Sequence, residues 1–226
     1  MSNAVIASLL CSMLLLSFVI PVFAMPSPIT FQRSIPYTVF NSTSATVYDV
    51  QRPTSAPFEI FINNQLKYNT TGTKAAIVKF QDAKTGSMNA LEIAVYNTKA
   101  IDVNWTDKAT GTTTRIATIP GDAMQDIARE IIIENSGTIM NIMTSDGKDV
   151  VKGFVLPAEF KIVAISGYGN DATSQVASDG FVTVYLGGLN PSKSVSFSLN
   201  AFMPLIVAVA AVGIILTLVN KIRQKV

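Results

Sequence analysis

The sequence predicts a mainly β fold: an antiparallel β-sandwich, Ig-like or jelly-roll-like, set between an N-terminal apolar helix and one C-terminal transmembrane helix. Three observations carry this. Uncharged runs occupy both ends, residues 4–24 and 201–219. Between them, short segments alternate apolar and polar residues and are separated by Gly, Asn and Asp, as half-buried strands are. Only residues 122–128 carry a helical pattern, enough for one or two turns.

The first run ends in Val22-Phe23-Ala24. A small residue at −1 and a tolerated valine at −3 suit signal peptidase, so Ala24 and Met25 flank the expected cleavage. Pro21 stops a helix just before that point. The run lacks a leading Lys or Arg and is long enough, at ~20 residues, to span a bilayer, so a retained membrane helix over 1–24 is the other reading.

Residues 25–200 form the expected outer domain. Residues 58–62 and 65–69 flank Asn63-Asn64 and read as a hairpin, because Asn tolerates the positive φ of a tight primed turn. Strands follow at 75–80 and 90–96, separated by a turn from Gln81. Residues 101–106 and 112–119 read as a second hairpin about Asp107–Gly111. Further strands are expected at 130–134, 138–143, 150–156, 159–165, 181–186 and 194–199. Turns fall at Asn135-Ser-Gly137 and Ser145-Asp-Gly-Lys148. Spacing of this kind indicates a sandwich. The break at Pro120-Gly121 allows two subdomains, 25–120 and 121–200, but no long linker separates them.

The second run spans 201–220 as the expected transmembrane helix, with Asn200 as its N-cap and Pro204 in the first turn. Lys221, Arg223 and Lys225 lie in the tail 221–226. Positive charge stays on the cytoplasmic side, so the C-terminus is expected inside (cytoplasm or virion interior) and the β domain outside.

The formal charge of +2 comes from that tail, since 14 basic and 15 acidic residues leave the outer domain near neutral. No basic patch points to nucleic acid. Cys11, in the first run, is the only cysteine, and histidine is absent. That removes Ser-His-Asp and Cys-His chemistry and His or Cys metal sites. Asp146 with Asp149, and Asn170 with Asp171 and Asp179, supply too few oxygens per loop for calcium and read as turn residues. We expect no enzyme, cofactor or metal. Asn41, Asn69 and Asn104 head glycosylation sequons on the outer side. Trp105 is expected to pack inside. Tyr168, read as lying in a Gly-Tyr-Gly loop, is the expected exposed contact.

The expected partners are the lipid bilayer and either further copies of this chain or another envelope protein. The first functional expectation is a structural surface protein that self-associates in a cell or viral envelope. The alternative is an extracellular binding module: an adhesin, a receptor or an anchoring subunit. The plan of signal, sandwich and short-tailed anchor is similar to that of archaeal surface proteins and archaeal-virus membrane proteins.

Overall fold

The computed structural model describes residues 26, 28–121, 129–157 and 159–189. The expected signal segment, the helical turns at 122–128, the strand at 194–199, the transmembrane run and the basic tail lie outside the described residues. Among the described residues no helix is long and apolar enough to cross a membrane.

The strands are β1 (Ile29–Pro36), β2 (Thr46–Ser55), β3 (Phe58–Asn64), β4 (Lys67–Tyr68), β5 (Ala75–Gln81), β6 (Ala90–Tyr96) and β7 (Ile101–Thr106). They continue as β8 (Thr113–Ile119), β9 (Glu130–Asn135), β10 (Ile139–Thr144), β11 (Asp149–Val155), β12 (Lys161–Gly169), β13 (Ala177–Asp179) and β14 (Phe181–Gly187). One short helix, α1 (Tyr37–Phe40), follows β1. A first six-stranded sheet runs β1-β14-β3-β9-β10-β11, a second runs β2-β12-β5-β6-β7-β8, and β13 pairs with β4. All pairings are antiparallel. Each sheet contains strands from both sides of Pro120-Gly121.

The core lies between the sheets. Ile60, Ile62, Ile131, Ile133, Val184 and Leu186 from the first meet Val78, Phe80, Leu91, Ile93 and Val103 from the second. Trp105 packs in this core, edge-on to Phe160 at 5.1 Å and 78°, while Phe160 meets Phe58 at 6.3 Å. Such edge contacts suit the ring quadrupoles.

The hairpins expected about 107–111, 135–137 and 145–148 are present as β7-β8, β9-β10 and β10-β11. The hairpin expected about Asn63-Asn64 is not. β3 pairs with β14 and β9, and β4 pairs with β13. The turn is real but carries the chain away. Asn64 Oδ1 accepts from the Leu66 amide at 3.1 Å, and Asn64 Nδ2 donates to the Tyr68 hydroxyl at 2.7 Å. That hydroxyl then donates to the Val95 carbonyl of β6 at 3.0 Å, tying the segment to the other sheet. The short strand β13 and helix α1 were not expected, and nor were two longer strands, β1 and β2. Both strands sit on sheet edges, where exposure and the prolines Pro36 and Pro53 hide the alternation.

Each of the four edge strands of the two six-stranded sheets is bulged. β1 shifts register between Ile29 and Phe31. In β2, residues 50–53 stand opposite Val163 alone, between Asp49↔Ala164 and Thr54↔Ile162. In β8, Ile116 is the extra residue between Arg115 and Ala117. In β11, Lys152 and Gly153 face Asn141, whose Oδ1 accepts from the Gly153 amide at 2.8 Å, and Gly153 takes φ +65. Bulges twist an edge away from further strand addition.

The chain enters and leaves at the same end. Ile29 pairs with Gly187, and the Gly188 amide donates to the Pro28 carbonyl at 3.3 Å. A Cβ on Gly187 would lie 2.1 Å from that carbonyl, so only glycine fits there. Asn135 pairs with Phe58 and Val155 with Ile139 at this same end, which we term the proximal end. Thr30 meets Thr54 at 3.4 Å, which places the start of β1 beside the end of β2. The distal end carries α1 and the turns at 145–148 and 170–176.

Candidate functional site

The candidate site is the outward face of the second sheet. Strand pairing brings alternate residues into rows across it, since side chains on one face recur every second residue. One row reads Val47, Ser166, Lys79, Glu92, Asn104, Arg115. The next reads Tyr168, Ile77, Ala94, Asp102, Thr118. Beyond it, Ala75 stands opposite Tyr96. Small and aliphatic residues thus form a floor of Ala75, Ile77 and Ala94, and the rings of Tyr96 and Tyr168 pack against it.

Glu92 organises the site. One carboxylate oxygen accepts from the Tyr168 hydroxyl, and the other accepts from Asn104 Nδ2 at 3.0 Å. Asp102 does the same for its neighbours. It accepts from the Tyr96 hydroxyl at 3.0 Å and faces the Arg115 guanidinium at 3.7 Å. Burial, the bond to Glu92 and its negative charge push the Tyr168 phenol well above its ordinary range. Burial, and then Asp102, raise that of Tyr96. Both phenols are therefore neutral donors at physiological pH. Among the described residues each carboxylate keeps unused lone pairs and Arg115 keeps further N–H groups, at a side-chain exposure of 63%.

A clamp borders this face at the distal end. The buried Lys74 ammonium lies 2.5 Å from Asp171 Oδ2 and also contacts the Ser174 hydroxyl. Lys74, then the Thr173 and Ser174 donors, hold the Asp171 carboxyl well below the usual carboxylate range. The Lys74 side chain is thus engaged by Asp171 and Ser174.

Beyond the other border, an open groove of about 770 Å³ runs between β1 and β2, where Phe31, Arg33, Tyr48, Asp49 and Lys84 are among its lining. The Arg33 guanidinium sits 4.4 Å over the Tyr48 ring, and Lys84 lies 2.5 Å from Asp49. Its charges are exposed and already matched to protein partners, so the ordered face is the stronger candidate.

Two of the residues singled out from sequence, Tyr168 and Asn104, thus meet on the one carboxylate of Glu92. Tyr168 is not in a loop, however. It lies in β12 and is half-buried. Gly167 and Gly169 are there for space rather than flexibility, since a Cβ on Gly169 would lie 1.8 Å from the Phe40 carbonyl. The other sequon asparagines lie elsewhere. Asn41 Nδ2 donates to the Ala177 carbonyl at 2.9 Å and its Oδ1 accepts from the Ala177 amide at 3.0 Å. Asn69 Nδ2 donates to the Gln175 carbonyl at 2.7 Å. All three sequon amides are engaged within the fold. Trp105 is buried at 4% exposure. Asp146, Asp171 and Asp179 accept hydrogen bonds within their own turns. Among the described residues no group of acidic or other ligating side chains could hold a metal ion. Ala24, Met25, Lys221, Arg223 and Lys225 lie outside the described residues.

Glu92, Asp102, Tyr96 and Arg115 were not singled out from the sequence. The signal was a strand in which Glu92, Ala94 and Tyr96 alternate with Leu91, Ile93 and Val95, but which faces meet it is a matter of pairing.

No family model matches the sequence, and no curated protein matches it. Several solved structures are similar. Sheep galectin-11 in complex with glycerol matches at 7% identity and a TM-score of 0.39, over 63% of this chain and 97% of that one. The carbohydrate-binding module CBM66 from Bacillus subtilis matches at 14% identity and 0.40, over 73% and 94%. A toad ovary galectin complexed with thio-digalactose matches at 11% identity and 0.38, over 63% and 99%. The class defined by the fold is an antiparallel β-sandwich.

Proposed function

We propose that this chain is an exported binding module, anchored by its C-terminal apolar run, whose second sheet presents a recognition face outside the membrane. The observation that supports this is the pre-ordered array on that face: Tyr96 and Tyr168 over an apolar floor, beside Glu92, Asp102, Asn104 and Arg115. An array of flat rings and fixed donors and acceptors suits a polyhydroxylated ligand, a saccharide. The rings offer apolar faces to its C–H groups, and the carboxylates and guanidinium pair with its hydroxyls. Because the side chains already hold one another, little ordering entropy is lost on binding. The function is binding rather than catalysis.

A self-associating lattice in a cell or viral envelope, of archaeal or archaeal-virus type, is the other reading. The bulges on all four edges weigh against assembly by strand addition. The test is a saccharide array probed with the full chain in detergent, alongside Tyr168→Ala and Tyr96→Ala. Binding by the native chain that both variants lose supports the recognition face. No saccharide binding, with crosslinks running mainly between copies of the chain, overturns it in favour of the lattice.

A further inference from the structure

We infer that the proximal end of the sandwich rests against the lipid bilayer, and that the distal end, with α1 and the turns at 145–148 and 170–176, points away. This deepens the reading of the chain as membrane-anchored and rests on it.

Three observations meet at that end. First, the chain's first and last described segments are hydrogen-bonded to each other there, through Gly188 and Pro28. Pro26, two residues after Ala24, is buried. Second, the uncharged run starting at residue 201 follows Leu189 by a segment, 190–200, of eleven residues. Eleven residues reach at most ~40 Å, and a retained first run would leave only ~7 Å of slack at the other side. Third, large apolar side chains are exposed there: Ile29 at 45%, Ile139 at 44% and Val155 at 68%. Ile139 and Val155 are cross-strand partners on β10 and β11, while Ile29 starts β1 at the opposite edge of the same sheet. The three therefore flank the whole width of the sheet end, as a surface lying on the interface would require. The other large apolar residues exposed among the described ones are Val47, in the edge groove, and Phe181, singly at the distal end.

The occupant is the interfacial zone of the membrane that holds the apolar run. Lys161, exposed opposite Ser55, and Lys108, in the β7-β8 turn, lie at the same end, and apolar contacts with long lysine stems beside them suit the headgroup boundary. The orientation also leaves the Tyr96–Tyr168 face on the side wall of the sandwich, clear of the lipid.

The experiment uses the full chain with Cys11→Ser, reconstituted into phosphatidylcholine vesicles that carry headgroup spin labels. A fluorophore is attached through Val155→Cys or through Lys148→Cys, which lie roughly 24 Å apart along the strand. We expect strong quenching at position 155 and none above the lipid-free control at 148. Quenching at 148 equal to or above that at 155, in a chain that floats with the vesicles, overturns the orientation alone. A chain that does not float with the vesicles overturns the anchored reading and this inference with it.

Discussion

The two faces of the second sheet are built by the same strands and are held by different physics. Inward, Val78, Phe80, Leu91, Ile93, Val103 and Trp105 are nearly water-free and interlock with the first sheet. Outward, one residue away along each strand, Glu92, Asp102, Asn104 and Tyr168 are held by hydrogen bonds. The inner face derives its stability from burial, which is non-directional. The outer face derives order from directional bonds whose net stabilisation is small, because water competes for the same groups. The inner face should therefore govern stability and the outer face recognition.

The largest expected effect follows from the inner face. Trp105→Ala removes a ring packed on Phe160 and Phe154, and should cost about 3–5 kcal/mol in denaturant unfolding. A loss below about 1 kcal/mol would break the comparison. Trp105→Phe should cost far less, since the indole Nε1 has no hydrogen-bond partner among the described residues.

The clamp beside the outer face comes next. Asp171 has a lowered folded-state pKa, held mainly by Lys74. Its stabilisation is thus present above the ordinary carboxylate value near ~3.9 and is lost as pH falls through and below it. Thermal melts from about pH 6 to about pH 3 should show a falling midpoint, and Asp171→Asn should flatten that fall. An unchanged slope in the variant would show the clamp to be idle.

On the outer face itself, Tyr168→Phe deletes the hydroxyl bonded to Glu92 and should cost about 0.5–1.5 kcal/mol. The raised phenols give a second reading of the same network. Tyr68, Tyr96 and Tyr168 are all pushed up, first by burial. They stabilise the fold below the ordinary phenol value of ~10, and that contribution is lost as pH rises above it. A spectrophotometric titration should therefore show a late tyrosinate fraction out of six tyrosines, smaller in Tyr168→Phe.

The smallest effect belongs to Arg115. Its guanidinium is exposed and 3.7 Å from Asp102, so Arg115→Ala should change stability by less than about 1 kcal/mol. If the face binds a saccharide, the same variant should weaken that binding. This separates recognition from stability at a single residue.

Much of the strand content was legible in sequence because it is local. Residues 75–80, 90–96 and 101–106 show apolar residues at period two, and Asn135-Ser-Gly137 and Ser145-Asp-Gly-Lys148 are turns by their own chemistry. β1 also carries Ile29, Phe31 and Ile35 on that period, but Arg33 interrupts it, and an edge strand does not need the full pattern. Asn63-Asn64 misled because a turn signal says that the chain bends and not where it goes. The bond from Asn64 to Tyr68, and that from Tyr68 to the opposite sheet, decided that. The Gly-Tyr-Gly segment misled for a related reason. Its glycines answer the close approach of α1 and β1, contacts that lie more than a hundred residues away in the chain.

The sequence by itself determined the mainly β character, most of the turns, the burial of Trp105, the lack of histidine and the near-neutral charge of residues 25–200. These depend on residue type and short-range period. Only the tertiary structure decided that Glu92 joins Tyr168 to Asn104, that every edge of the two six-stranded sheets is bulged, and that Pro28 meets Gly188. Each of these comes from strands paired across long stretches of chain, and a one-residue change of register would turn every such side chain to the other face.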